Sequence, residues 1–306
     1  MFHLAIAGGV LGLLVALIAA VGVLGAYRWR AATRRIHAAM TAADRRKPPA
    51  FPDRESRDRL PPPVRRYLNR VLGDCGRVIH QVRMRQTGTF NMSETGERWL
   101  PFSANQWVIV TAPTFDWDAR IQAAPLVSVR VHDAYFRGEG LISATVLGLF
   151  PVVHIRDDEG AARGELMRFL AESPWYPTVL LPGGGVEWRE IDDRSAEASL
   201  TEGKHTVRMT FAFDQDDLLS EVRAESRERL VSGRVEATPW RGRFREYREH
   251  QGIWVPSAGE VAWVLPEGEK PYWRGRLESI HFEFAAENRD AAKGPHDTLG
   301  AGVSCR

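Results

Sequence analysis

Glu165, Arg168 and Glu172 have the residue types and the spacing that acid–base chemistry could use. They are three and four positions apart, so on a helix they lie along one side as neighbours. If aromatic residues bury one of the two carboxyl groups, its pKa rises and the group can act as a general acid or base. A salt bridge on the helix surface requires no such burial, and we favour it as the interpretation of these three residues.

A second pair of carboxyl groups, Asp116 and Asp118, flanks Trp117. On a β-strand these two side chains point to the same face, where paired carboxylates can bind a cation or share a proton. Such pairs are more often the solvated face of a strand, and we favour that interpretation.

Other chemistries lack their signatures. The nine histidines are scattered without the spacings of metal sites, and there is neither a Gly-x-Ser-x-Gly elbow nor a phosphate-binding glycine loop. We therefore predict no metal, no cofactor and no catalytic residue. Residues 241–249 alternate arginine with aromatic residues, but Glu246 and Glu249 lie among them and the net charge is only +2, so we expect no nucleic-acid partner.

The elements that position these residues follow a period of two from Val78 onward, which is typical of strands with one apolar face. Many short strands without long alternating helices predict a mainly β fold. We expect one strongly curved antiparallel sheet, a half-barrel or open barrel, with a few short helices on its concave face and a transmembrane helix at the N-terminus. The predicted strands are residues 78–90, 106–111, 114–121, 126–136, 186–191, 205–213, 218–230, 241–249, 260–265 and 273–284.

Three segments depart from this period. Apolar residues at helical spacing predict a helix over residues 64–72, after three prolines and before Gly73. Residues 164–172 predict a second helix, which Ser173-Pro174 ends. Residues 141–153 are apolar and uncharged, and they fit a core helix, a buried strand or a lid that contacts lipid; we favour a place in the core.

Residues 4–27 carry no charge and are long enough to span the ~30 Å hydrocarbon core of a bilayer as a helix. The alternatives are a buried core helix and a cleaved signal peptide, and for the latter the segment lacks a basic start and a suitable cleavage site. We predict a transmembrane helix in residues 1–27, a basic juxtamembrane segment and Pro-rich linker in 28–60, a curved β-sheet domain in 61–284 and a disordered tail in 285–306.

The charge next to this segment predicts its orientation. Arginines follow it from Arg28 onward, whereas no lysine or arginine precedes it. By the positive-inside rule, we expect a single-pass protein of the inner membrane with its soluble domain in the cytoplasm.

Tryptophan is abundant, with ten in 306 residues. The concave face of a curved sheet has to be filled by side chains, by a helix or by a ligand, and indole rings can fill a core or line a lipid-sized pocket. The candidate ligand-binding residues are Trp107, Phe115, Trp117, Phe169, Trp175, Tyr176, Trp188 and Trp263.

Four motifs carry a resemblance to known proteins. Residues 165–177 (ELMRFLAESPWYP), 185–188 (GVEW), 239–247 (PWRGRFREY) and 252–256 (GIWVP) resemble an uncharacterised bacterial family of membrane-anchored, β-rich domains of unknown function. At the level of architecture, the chain is also similar to the lipoprotein-localisation (LolA/LolB-like) half-barrels. That second resemblance implies a curved antiparallel sheet around short helices that holds acyl chains.

Three functions fit these observations. The first is a membrane-anchored binding module for a lipid or another apolar ligand, with the bilayer as partner through residues 4–27. The second is an envelope scaffold with a filled core, whose protein partner the sequence does not name. The third is an enzyme that uses a buried carboxyl group, Glu165 or Glu172.

Overall fold

The computed structural model describes residues 2–44, 47–93, 95–231 and 234–286. Most of the predicted disordered tail, residues 287–306, lies outside the described residues. The helices are α1 (Phe2–Ala43), α2 (Arg54–Asp58), α3 (Pro62–Leu72) and α4 (Glu159–Ala171), followed by two 3₁₀ turns, Ser173–Trp175 and Pro177–Leu180. The strands are β1 (Ile79–Asn91), β2 (Trp99–Ile109), β3 (Thr114–Ala124), β4 (Val127–Phe136), β5 (Glu139–Val146), β6 (Phe150–Arg156), β7 (Val186–Asp192), β8 (Ser195–Glu202), β9 (His205–Phe213), β10 (Leu219–Val231), β11 (Arg234–His250), β12 (Ile253–Leu265) and β13 (Gly268–Phe284).

The thirteen strands of the described residues form one antiparallel sheet in the order β6-β5-β4-β3-β2-β1-β13-β12-β11-β10-β9-β8-β7. The two end strands, β6 and β7, do not pair, so the sheet is open. Helix α4 contacts β4 and β5 near one end of this order and β9 and β10 near the other, which means that the sheet curves around it. The prediction of a mainly β fold with one large antiparallel sheet and few helices is confirmed.

The concave face holds the main core, and α3 shows how the sequence builds it. Val64, Tyr67 and Val71 are fully buried on the face of α3 that the helical spacing predicted. Leu166 and Phe169 of α4 and Leu180 of the second 3₁₀ turn join the same core. Short helices therefore fill much of the concavity with side chains.

The apolar segment 141–153 forms a hairpin of two strands, β5 and β6, and not a helix. Its turn uses Leu147 and Gly148, both at positive φ, a conformation that glycine adopts without strain. Of the three alternatives for this segment, the favoured place in the core holds for Leu141, whereas Phe150 and Val152 are exposed.

Helix α1 continues through the predicted juxtamembrane segment as far as Ala43 and packs on the convex face of the sheet. Ile36 and Met40 are buried there against Trp107 and Phe136. A Cβ atom on Gly25 would lie 2.0 Å from the carbonyl oxygen of Leu147, so glycine permits α1 to touch the β5–β6 turn. No helix within the described residues is long and apolar enough to cross a membrane.

Candidate functional site

A cavity of about 450 Å³ lies between α4 and the strands, within the concave face. Its volume falls in the range of ~300–1,000 Å³ that small-molecule sites occupy. Its walls are mainly apolar and come from both halves of the sheet; they include Phe90, Ile121, Val129, Val131, Ile142, Ala144, Val153, Trp240, Phe244, Val261, Tyr272 and Trp273. Most of the cavity therefore suits an apolar ligand.

One end of the cavity is polar and is centred on Arg168 of α4. The Arg168 guanidinium donates to Asp133 Oδ2 and to Glu172 Oε1, each at 2.8 Å. Gln106 Nε2 donates to Glu172 Oε2 at 2.5 Å, and the guanidinium carbon lies 4.9 Å from the centre of the Trp117 ring. The Arg168 and Glu172 side chains are only 15% and 14% exposed. The predicted salt bridge therefore exists between Arg168 and Glu172, but its predicted place on the exposed helix surface is wrong, because α4 turns these residues toward the sheet.

Glu165 brings a buried carboxyl oxygen without a partner to this end of the cavity. It is 4% exposed and lines the cavity, and its Oε2 has no hydrogen-bond partner among the described residues. Burial and the neighbouring charge of Asp133 raise the pKa of Glu165 to about 8. At neutral pH the group is therefore mainly protonated and can donate a hydrogen bond.

Arg227 of β10 lines the same cavity. It donates to the carbonyl oxygen of Gly164 at 3.3 Å, and its guanidinium carbon lies 5.3 Å from the centre of the Trp240 ring. Within the described part of the chain, no carboxylate lies within salt-bridge distance of Arg227. Its charge nevertheless acts on Asp133 and Glu165, since it lowers the pKa of both against the larger effect of burial.

Of the eight predicted ligand-binding residues, the structure brings Trp117 and Trp175 together in the lining. Their indole N–H groups donate to Gln86 Oε1 and to the carbonyl oxygen of Pro256, each at 2.9 Å, which fixes both rings. The other six residues lie outside the lining. Phe115, Phe169 and Tyr176 are fully buried in the core, Trp107 lies under α1, Trp188 packs on Phe211, and Trp263 stacks on Tyr272.

Two tryptophans of the lining, Trp240 and Trp273, were not among the predicted residues. Each is followed two positions later by a glycine, Gly242 or Gly275, on which its ring lies. A Cβ atom on Gly275 would be 2.1 Å from the Trp273 ring, and one on Gly242 would be 2.8 Å from the Trp240 ring. The repeated Trp-x-Gly pattern on two strands was the signal that could have identified them.

The cavity lies close to one rim of the sheet, which we call the apolar rim. It consists of the β1–β2, β3–β4 and β5–β6 turns, with the start of β6, and it exposes the apolar side chains Met92, Leu126, Phe150 and Val152. Met92 and Val152 also line the cavity. Since α1 touches the β5–β6 turn through Gly25, the predicted membrane segment leaves the domain at this rim.

A second polar cluster lies on the opposite, convex face, between α1 and strands β3 and β4. Asp116 Oδ1 is 2.7 Å from His132 Nδ1, and Asp116 Oδ2 is 3.0 Å from His37 Nε2 of α1. Asp118 accepts from Trp29 Nε1 at 2.8 Å. The interpretation of Asp116 and Asp118 as a solvated strand face is wrong, because α1 covers both.

These contacts shift the pKa values of the cluster. Burial alone would raise the pKa of Asp116, but the hydrogen bonds from His132 and His37 lower it. Burial alone would lower the pKa of His132, but Asp116, followed by Asp118, raises it. Burial raises the pKa of Asp118. The cluster is therefore built around the buried pair of His132 and Asp116, which is an ion pair at pH values where His132 is protonated. In the part of the chain that the structure covers, no group of three or more His, Cys, Asp or Glu is arranged to hold a metal ion.

The model of DUF6920, a family of unknown function, matches residues 58–282, and this confirms the resemblance to an uncharacterised family. Among solved structures, a LolA superfamily protein from Nitrosomonas europaea is similar at 12% identity and a TM-score of 0.38, over 75% of this chain and 94% of that chain. A β-barrel-like protein of the domain of unknown function DUF1849 from Brucella abortus is similar at 9% identity and a TM-score of 0.23, over 68% and 99% of the two chains. No curated protein matches the sequence.

Proposed function

The chain belongs to DUF6920, a family of unknown function, and from the geometry of its cavity we propose that it is a membrane-anchored binding module for a lipid or another apolar ligand. The observation that carries this proposal is a cavity of about 450 Å³ with mainly apolar walls and one polar end, between α4 and the sheet. Such a combination suits a molecule with a long apolar part and a small polar group.

The membrane part of the proposal rests on α1 and the apolar rim. Residues 4–27 contain no charged side chain, and Leu13, Leu17 and Val23 of α1 are exposed. The apolar rim lies where this segment leaves the domain, so a ligand could pass between bilayer and cavity without crossing water. Arg28 and Arg30 follow the apolar segment and suit anionic lipid head groups on the cytoplasmic side.

The test is to purify the full chain in detergent, wash it thoroughly, and quantify retained lipids by mass spectrometry. We expect one class of apolar molecule at close to one copy per chain. Ala144→Trp places a large side chain in the cavity, so it should remove most of the retained molecule.

Ala124→Trp is the matched control, because Ala124 is exposed at the end of β3. It should retain the molecule as the unsubstituted chain does. Equal amounts of lipid in all three proteins would identify the lipid as bound to α1 and would contradict the proposal.

A further inference from the structure

We propose that the polar end of the cavity binds an uncharged acyl ester, whose carbonyl oxygen accepts hydrogen bonds from Glu165 and Arg227. This inference rests on the proposed function and adds the chemical class of the ligand's polar group.

The first support is an unsatisfied buried group. An oxygen of Glu165 that lines an apolar cavity without a partner costs free energy unless a ligand supplies one. Because Glu165 is mainly protonated at neutral pH, it offers an O–H donor. A ligand oxygen that accepts this hydrogen bond would satisfy the group.

The second support is that the free polar groups beside Glu165 are hydrogen-bond donors. Arg227 offers N–H donors at the same cavity, and a guanidinium has no acceptor. Arg168, by contrast, is already engaged by Asp133 and Glu172 at 2.8 Å. Glu165 and Arg227 therefore present two donors, which is what a carbonyl oxygen with two lone pairs can accept.

The third support is the charge balance at this end. Beside Glu165, this end holds two acidic side chains, Asp133 and Glu172, which both accept from Arg168, and a second guanidinium, Arg227. The other two charged residues of the lining, Arg243 and Glu260, pair with each other. A ligand carboxylate would add a negative charge to this buried set, and an ammonium group would lie beside Arg227 and require Glu165 to ionise. An uncharged acceptor leaves the balance unchanged.

The experiment uses the full chain in amphipol and stearoyl chains that carry two bromine atoms at mid-chain. Bromine quenches tryptophan on contact, and Trp117, Trp175, Trp240 and Trp273 line the cavity, so quenching reports chain entry. Four probes share the chain and differ in the end group: methyl ester, carboxylate, ammonium, or none. At pH 6.5 we expect the ester to bind at least about fivefold more tightly than each of the other three probes. The reason is that only its carbonyl oxygen accepts one hydrogen bond from the neutral Glu165 and one from the charged Arg227 without adding a charge to the cavity.

Three variants assign the effect. Glu165→Leu removes one of the two donors and leaves Arg227, so it should reduce the preference for the ester over the chain without an end group by about threefold or more. That chain should still quench the variant, which reports an intact cavity. Glu165→Gln keeps an N–H donor and should retain the preference for the ester. Glu187→Gln makes the same substitution at an exposed residue of β7 and should change nothing.

The outcomes separate the two proposals. If no brominated chain quenches the protein, both the binding function and this inference fail. If all four probes bind equally, or if the acid or the amine binds most tightly, the binding function stands and the inference is overturned. A preference for the ester that is unchanged in Glu165→Leu would also overturn it.

Discussion

Replacing Asp116 by asparagine tests whether the convex cluster holds α1 on the domain. Asp116 is 1% exposed and accepts from His132 at 2.7 Å and from His37 of α1 at 3.0 Å. Asparagine has one acceptor oxygen, so one of the two ring nitrogens would face an amide N–H instead. Removing one partner of a buried ion pair costs about 3–5 kcal/mol. We expect Asp116→Asn to lower the free energy of unfolding by about this amount.

Asp118→Asn is the matched control on the same strand. The pKa of Asp118 is raised by burial, and its hydrogen bond from Trp29 at 2.8 Å survives in asparagine, whose oxygen still accepts it. The substitution loses only the acceptor of the longer bond from Thr33 at 3.3 Å, so we expect the free energy of unfolding to fall by at most ~1 kcal/mol, the net value of a single hydrogen bond. Urea unfolding of the full chain in detergent, followed by tryptophan fluorescence and circular dichroism, measures both variants. Equal losses for the two variants, or a smaller loss for Asp116→Asn, would refute the assignment of the ion pair.

The same experiment has a defined pH dependence. The pKa of His132 is raised above its ordinary 6.5, so its contribution is complete below pH 6.5 and is lost as the pH rises through the raised pKa. The pKa of Asp116 is lowered below 3.8, so its contribution is complete above pH 3.8 and is lost as the pH falls through the lowered pKa. The difference between Asp116→Asn and the unsubstituted chain should therefore be largest between about pH 4 and 6.5.

Three further predictions concern α4, α1 and the core. The pKa of Glu165 is raised to about 8, so the folded chain keeps this proton to a higher pH than the unfolded chain does. Between about pH 4.5 and 8 this group should therefore lower the free energy of unfolding by up to ~1.4 kcal/mol per pH unit. Glu165→Gln should remove that slope in urea unfolding measured across this range. Gly25→Val should detach α1 from the β5–β6 turn, because a Cβ atom there would lie 2.0 Å from the Leu147 carbonyl oxygen. Limited proteolysis near residues 45–50 should then be faster than in the control Gly22→Val, where a Cβ atom would have nothing within 4 Å. Equal rates in the two variants would contradict the contact. Phe169→Ala should cost about 3–5 kcal/mol in thermal or urea unfolding, since this fully buried ring leaves a void in the concave core; a loss below ~1 kcal/mol would show that the core can close over the gap.

Strand alternation predicted most of the sheet because most strands use one face for the core and one for water. It failed at β5 for a physical reason. Leu141 packs under α1 on the convex face, whereas Ile142 lines the cavity on the concave face. Since both faces of β5 are covered, adjacent positions such as Leu141 and Ile142 are both apolar, and the period of two disappears. Strand β8 was missed because small residues, Ala196 and Ala198, occupy its buried positions.

The convex cluster shows what strand patterns alone leave out. The spacing of Asp116 and Asp118 correctly predicted a shared face, but whether that face is wet depends on a helix far away in sequence. Trp29, Thr33 and His37 of α1 are each four residues apart, so they lie along one side of the helix and meet the two aspartates. The sequence shows this spacing, but it does not indicate which strand the helix covers.

The sequence predicted an aromatic concave face, but it did not identify which aromatic residues line the cavity. Aromatic residues were expected on the concave face, and Trp117 and Trp175 do line the cavity. Whether an aromatic side chain fills the core or lines the cavity depends on how the short helices pack on the sheet. Phe115 of β3 and Phe169 of α4, for example, are both buried in the core. Only the three-dimensional packing distinguishes these two roles.

The order of the strands has a consequence for synthesis of the chain. Every neighbouring pair in the sheet is consecutive in sequence except β1 and β13. After β1 to β6 have left the ribosome, β1 therefore remains an open edge until the last strand is made, and open edges invite pairing with other chains. Arg83 and Arg85 belong to this open edge strand. In the folded domain, Arg83 Nε lies 3.6 Å from Glu283 Oε1 and Arg85 Nη2 lies 3.4 Å from Glu278 Oε2, both on β13. The same arginines that discourage wrong pairing during synthesis thus meet complementary carboxylates on the one strand that belongs there.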